Sequence, residues 1–122
     1  MTHKIRTSSW AEVVAFYTEL AQEHPPMQPM LDLARFLVRS RYAPSLFAAL
    51  TNEGLGIGRS ADFQPGENEL QVRFDPRAQQ FTFTHLQRPG ESNPWSRECA
   101  AGEWHTVLER IFHKRLQWFH EG

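Results

Sequence analysis

Leu70-Gln71-Val72-Arg73-Phe74-Asp75-Pro76-Arg77-Ala78-Gln79-Gln80-Phe81-Thr82-Phe83-Thr84 decides the fold of this chain. Leu70, Val72 and Phe74 alternate with Gln71 and Arg73, and Phe81 and Phe83 alternate with Thr82 and Thr84. A period of two places one set on each face of a strand, so the segment predicts two strands, each apolar on one side and polar on the other. Asp75-Pro76-Arg77-Ala78 supplies the turn between them. The apolar side is expected to face helices and the polar side water or a partner.

Upstream, Leu46 to Thr51 and Leu55 to Arg59 flank Asn52-Glu53-Gly54 and predict a first hairpin, although Leu46 to Leu50 also suits a helical turn. Two helices come before it. Ser9 and Glu12 have the S-x-x-E spacing of a capping box, and Trp10, Val13, Val14, Phe16, Tyr17, Leu20 and Ala21 fill one face up to Pro25 and Pro26. Pro29 suits the first turn of a second helix running from Met30 to Arg41, with Met30, Leu33, Ala34, Leu37 and Val38 on its apolar face. Gln87 to Arg97 reads as an irregular connection. Glu103 to Gly122 then reads as one long amphipathic helix. The expected architecture is α+β in the order α-α-β-β-β-β-α: two N-terminal helices, an antiparallel four-stranded meander and a long C-terminal helix packed on one sheet face. Residues 1–122 are expected to form a single domain, with 1–8 a flexible N-terminal segment.

The chain has 122 residues, a formal net charge of −1 and one cysteine, Cys99. Balanced charge builds no long-range field for nucleic acid or an anionic membrane, so neither is an expected partner. The small basic cluster Arg35, Arg39, Arg41 beside Tyr42 does not change this, because acids are interspersed throughout. A single cysteine forms no internal disulfide, and Met1 to Ser9 is polar, so the cytoplasm is the expected location. No cofactor fingerprint is present and no cofactor is expected.

On a 3.6-residue wheel of the terminal helix, Trp104, Val107, Leu108, Ile111, Phe112, Leu116, Trp118 and Phe119 share one arc, with Arg115 at its centre. A guanidinium in that position needs a carboxylate, a ligand or a route to solvent, since an unpaired buried charge costs several kcal/mol. Along one edge of the arc His105, Glu109 and His113 follow at i, i+4, i+8. Neighbours at this spacing can share a metal, but three turns spread over about 12 Å, so these are weak metal candidates needing a further ligand such as His24, His85 or Cys99. The alternative is a solvated helix border with a Glu109–His113 pair.

His85 shares the apolar face of its strand with Phe81 and Phe83, as a tuned acid or base or as a strand-end histidine with a backbone partner. Cys99 is placed near the start of the terminal helix, where the helix dipole would lower a thiol pKa, or else it is a small buried hydrophobe. Gly54, Gly56 and Gly58 match no phosphate-loop spacing; bare strand positions at Gly56 and Gly58 let a helix, a ring or a ligand approach the backbone.

Two functions are expected from these features. The first is a small non-catalytic binding or protein-interaction module, possible as a homodimer, anchored by aromatics such as Trp95 and Trp118. The second is a protein or enzyme for a small anionic ligand, with Arg115 in a pocket between sheet and terminal helix, His85 or His105 as acid or base, and Gly56 and Gly58 leaving room.

Overall fold

The computed structural model describes residues 7–51, 54–64 and 66–119. It is an α+β fold with an antiparallel five-stranded sheet in the order β1-β2-β3-β4-β5. The strands are β1 (Phe47–Thr51), β2 (Gly54–Gly58), β3 (Glu69–Asp75), β4 (Gln80–Leu86) and β5 (Trp95–Ala100). The helices α1 (Trp10–Glu23) and α2 (Gln28–Arg39) precede the sheet, and α3 (Trp104–Arg110) follows it.

Ser9 Oγ accepts from the Glu12 N–H and Glu12 Oε1 accepts from the Ser9 N–H, completing the box that starts α1. Pro29 lies in the first turn of α2, where its missing N–H is not needed. That helix ends at Arg39, before the expected Arg41. Ser40 Oγ donates to the Leu37 carbonyl and accepts from the Tyr42 N–H, drawing the chain into a turn that sends Tyr42 inward. The alternation in 70–84 produces the expected pair: Val72 faces Phe83 and Phe74 faces Phe81 across β3 and β4, while Asp75 Oδ1 accepts from the Arg77 and Ala78 N–H groups in the turn. Leu55, Ile57, Leu70, Val72, Phe81 and Phe83 form one core with Val13, Leu33, Leu37, Leu108 and Phe112 of the helices.

Three expectations are corrected. The sheet has a fifth strand, because Trp95–Ala100 pairs with β4 from His85↔Trp95 to Gln80↔Ala100, where an irregular connection and a helix approach were expected. Cys99 therefore lies in a strand, buried opposite Phe81, and not at a helix start. The terminal helix is not one straight α-helix: after Arg110 it widens into a π turn over Ile111–Arg115, in which the Leu116 N–H bonds the Ile111 carbonyl five residues back. Gln117 then takes a left-handed conformation, φ 55°, and the Trp118 N–H bonds the Phe112 carbonyl, which closes the helix end. The Ser8 N–H bonds the Ala48 carbonyl as an isolated bridge on β1. The rest of the expected flexible segment up to residue 6, the turn residues Asn52 and Glu53, and the expected helix end at 120–122 lie outside the described residues. Among the described residues no helix is long and apolar enough to cross a membrane.

Candidate functional site

The π turn changes what the terminal helix presents. One extra residue in a turn delays every later position by roughly one step of the helical wheel, about 100°. Arg115 thereby moves from the centre of the apolar arc to its border, alongside Val107 and Arg110. It is exposed, and its guanidinium lies 5.1 Å over the ring of Trp95 on β5.

Between β5 and this helix lies a cavity of about 130 Å³. Val107, Ile111 and Trp95 give it apolar walls, and Arg97, Arg110, Lys114 and Arg115 surround them. Among the described residues that line it, none is acidic. In a chain whose formal net charge is −1, four cations on one small hollow are a local segregation of charge. Larger hollows of about 500 Å³ run along α1, past Phe16, Leu20 and Met27, but their linings mix Arg73 with Asp75 or carry one arginine, Arg77. Charge chemistry, and not size, distinguishes the small cavity.

His85 neighbours this place. It is 6% exposed, faces Trp95 across the strand pair, and its Nε2–H donates to Asn68 Oδ1 at 3.1 Å. Its Nδ1 is buried without a hydrogen-bond partner among the described residues. Burial lowers its pKa, the charge of Arg115 adds to this, and Glu91 opposes it, so the ring is held neutral. The space over Gly56 and Gly58 is taken by the chain itself. A Cβ on Gly56 would collide with Glu69 Oε2, and one on Gly58 with the ring of Phe63. Trp118 is buried against Phe112, with the Arg59 guanidinium 5.7 Å from its ring, away from the cavity lining. Arg115 and Trp95 are thus brought together with His85 beside them, while Trp118, Gly56 and Gly58 lie elsewhere.

The histidine edge becomes a hydrogen-bonded chain. His105 Nε2 is 3.3 Å from Glu109 Oε1, and Tyr42 donates its hydroxyl hydrogen across 3.0 Å to Glu109 Oε2 or across 2.8 Å to His113 Nε2. His113 Nδ1–H donates to the Phe119 carbonyl at 3.1 Å, and Arg41 Nη2 lies 3.3 Å from Nε2. Burial raises the pKa of Tyr42; Glu109 adds to this and Arg41 opposes it, so the hydroxyl remains a donor. No group of three or more His, Cys, Asp or Glu side chains suited to a metal ion occurs among the described residues. Both nitrogens of His113 and both oxygens of Glu109 are engaged within the chain, which makes this cluster a latch joining the α2–β1 turn to the helix end. Cys99 is also poorly set up as a nucleophile: burial raises its thiol pKa, Glu103 adds to this, and Arg97 only partly offsets them.

Sequence reading singled out Trp95 and Arg115 separately but missed Arg97, Arg110 and Lys114. The available signal was the basic spacing 110, 114, 115, whose common face appears only once the helix widens. No protein-family model, curated protein or solved structure matches the chain.

Proposed function

We propose that this chain is a non-catalytic binding module for an anionic group carried on a small apolar moiety, seated between β5 and the terminal helix. The observation that carries this reading is the ring of Arg97, Arg110 and Arg115, with no acid among the described lining residues, around the apolar walls of Trp95, Val107 and Ile111. Arginine presents a planar fork of donors that matches carboxylate or phosphate, and stacking on Trp95 holds the Arg115 fork in place. A hollow of about 130 Å³ accepts a branched aliphatic side chain and excludes a large cofactor. The reading is non-catalytic because Tyr42, His113 and Glu109 are spent on one another and His85, the acid–base candidate beside the cavity, is buried outside its lining. The single thiol, Cys99, supports a reducing compartment, the cytoplasm.

The test is titration of the protein with 3-methylbutanoate and with inorganic phosphate, followed by nuclear magnetic resonance at Trp95 and along α3. Shifts confined to these residues and weakened by added salt are expected. Arg115→Met should weaken binding about tenfold or more, the worth of one charge-assisted hydrogen bond, with stability unchanged. No shift by either anion at millimolar concentration overturns the proposal, as does a large loss of stability in Arg115→Met.

A further inference from the structure

The same cavity adjoins an open sheet edge. In the order β1-β2-β3-β4-β5, β5 pairs with β4 alone, and no described strand lies on its outer side. At the other edge the Ser8 N–H already bonds the Ala48 carbonyl of β1. Ser96, Arg97 and Glu98 on β5 are exposed. An edge strand offers a row of backbone donors and acceptors to another extended chain, and adjacent pockets then read alternate side chains of that chain.

We infer that β5 takes up an extended acidic segment of a partner protein as an added strand. This rests on the anionic-ligand reading of the cavity and names its ligand. A strand rises about 3.3 Å per residue, so side chains on one face recur about every 7 Å. One small apolar side chain of the segment enters the hollow between Trp95 and Ile111. Carboxylates two residues to either side then reach the arginines that flank it, Arg97, Arg110 and Arg115. Charge selects this occupant over a second copy of the chain. Pairing two β5 edges would set the Arg97, Arg110 and Arg115 clusters of two copies against each other, while the acid on β5, Glu98, has the opposite strand parity to Arg97 and lies 3.2 Å from Gln80 Nε2. Like charges juxtaposed at an interface are repulsive.

The test uses the whole protein, isotope-labelled, with four kinds of probe. These are a blocked heptapeptide alternating glutamate and valine, the same peptide with lysine for glutamate, two versions N-methylated on alternate amides to cover both faces, and 3-methylbutanoate. Expected are slowed hydrogen exchange at Ser96 and Glu98, whose N–H groups point away from β4, with the acidic peptide, and an affinity loss of about tenfold or more in one N-methylated version, which cannot form the ladder. Equal binding of all acidic versions, equal binding of the lysine peptide, or no protection of β5 overturns strand addition. If 3-methylbutanoate still shifts Trp95 in that case, the anion reading survives by itself; if it does not, both fall. Sedimentation of the free protein as a dimer with β5 already protected would assign the edge to a second copy and also overturn the inference.

Discussion

Tyr42→Phe isolates the latch that ties the turn after α2 to the terminal helix. The residue is 2% exposed, and its ring packs 4.9 Å from Phe112 and 4.6 Å from Phe119 between centroids. Phenylalanine keeps those contacts, so no cavity opens and the change reads the hydroxyl alone. That hydroxyl serves Glu109 at 3.0 Å and His113 at 2.8 Å. A hydrogen bond to a charged acceptor contributes about 1.5–3 kcal/mol. The Glu109 side chain is 40% exposed, so water recovers part of this and about 1 kcal/mol is left at that end. The hydroxyl has one hydrogen, so His113 Nε2, whose side chain is 6% exposed and which keeps Arg41, is the alternative acceptor of the same bond and adds no second contribution.

The expected loss is therefore about 1 kcal/mol, or about 4 °C in melting temperature for a chain of this size. Urea unfolding followed by tryptophan fluorescence measures it, with an unchanged denaturant slope as the check that both end states are preserved. A double-mutant cycle with Glu109→Gln should return a coupling of about 1 kcal/mol, since the two residues share one bond. A loss under about 0.5 kcal/mol at unchanged slope would refute the reasoning, because the hydroxyl would then contribute no more than a solvated surface bond.

Glu69, 1% exposed, has its carboxyl pKa raised by burial, against the opposing hydrogen bonds from the Gly66 N–H and Gln71. A native state that holds this proton more tightly than the unfolded chain loses stability as pH rises through the raised titration, and has all of it below the ordinary carboxylate range. Glu69→Gln, which keeps an acceptor for Gly66, should therefore match the parent at acid pH and gain on it toward neutrality in urea midpoints; a constant difference would contradict this. Gln117→Gly should stabilise by about 0.5–1 kcal/mol in thermal unfolding, because a left-handed φ of 55° penalises a side chain and not glycine. A destabilised variant would show that the Gln117 side chain has a role of its own.

What was legible in the sequence is what short-range pattern records. The Ser9–Glu12 box, Pro29 and the alternation across 70–84 each act within one or two turns of chain, and all three reappear as expected. β5 was hidden because an edge strand buries little: of its inward positions Trp95, Arg97 and Cys99, only Cys99 is buried. Its pattern therefore looked like loop. The Tyr42–His113 bond joins residues 71 apart, and nothing in either neighbourhood records the pairing. Gly56 and Gly58 were legible as places of close approach, but not that a carboxylate and a ring of the same chain would fill them.

The π turn is the point at which local reading and tertiary structure part. No residue in Ile111-Phe112-His113-Lys114-Arg115 forbids an α-helix, so the widening has to be stabilised from outside the segment. The contacts that could do so are on both sides of it: His113 is held by Tyr42 and the Phe119 carbonyl, and Arg115 by the ring of Trp95. A straight α-helix would return Arg115 to the middle of the apolar arc, where its charge would be desolvated at a cost of several kcal/mol. Widening the turn avoids that cost and leaves Ile111 and Phe112 in the core. The same rotation brings Arg115 beside Arg110, which precedes the turn, along β5. The basic rim of the cavity is thus a consequence of how the fold accommodates one arginine in an apolar stripe.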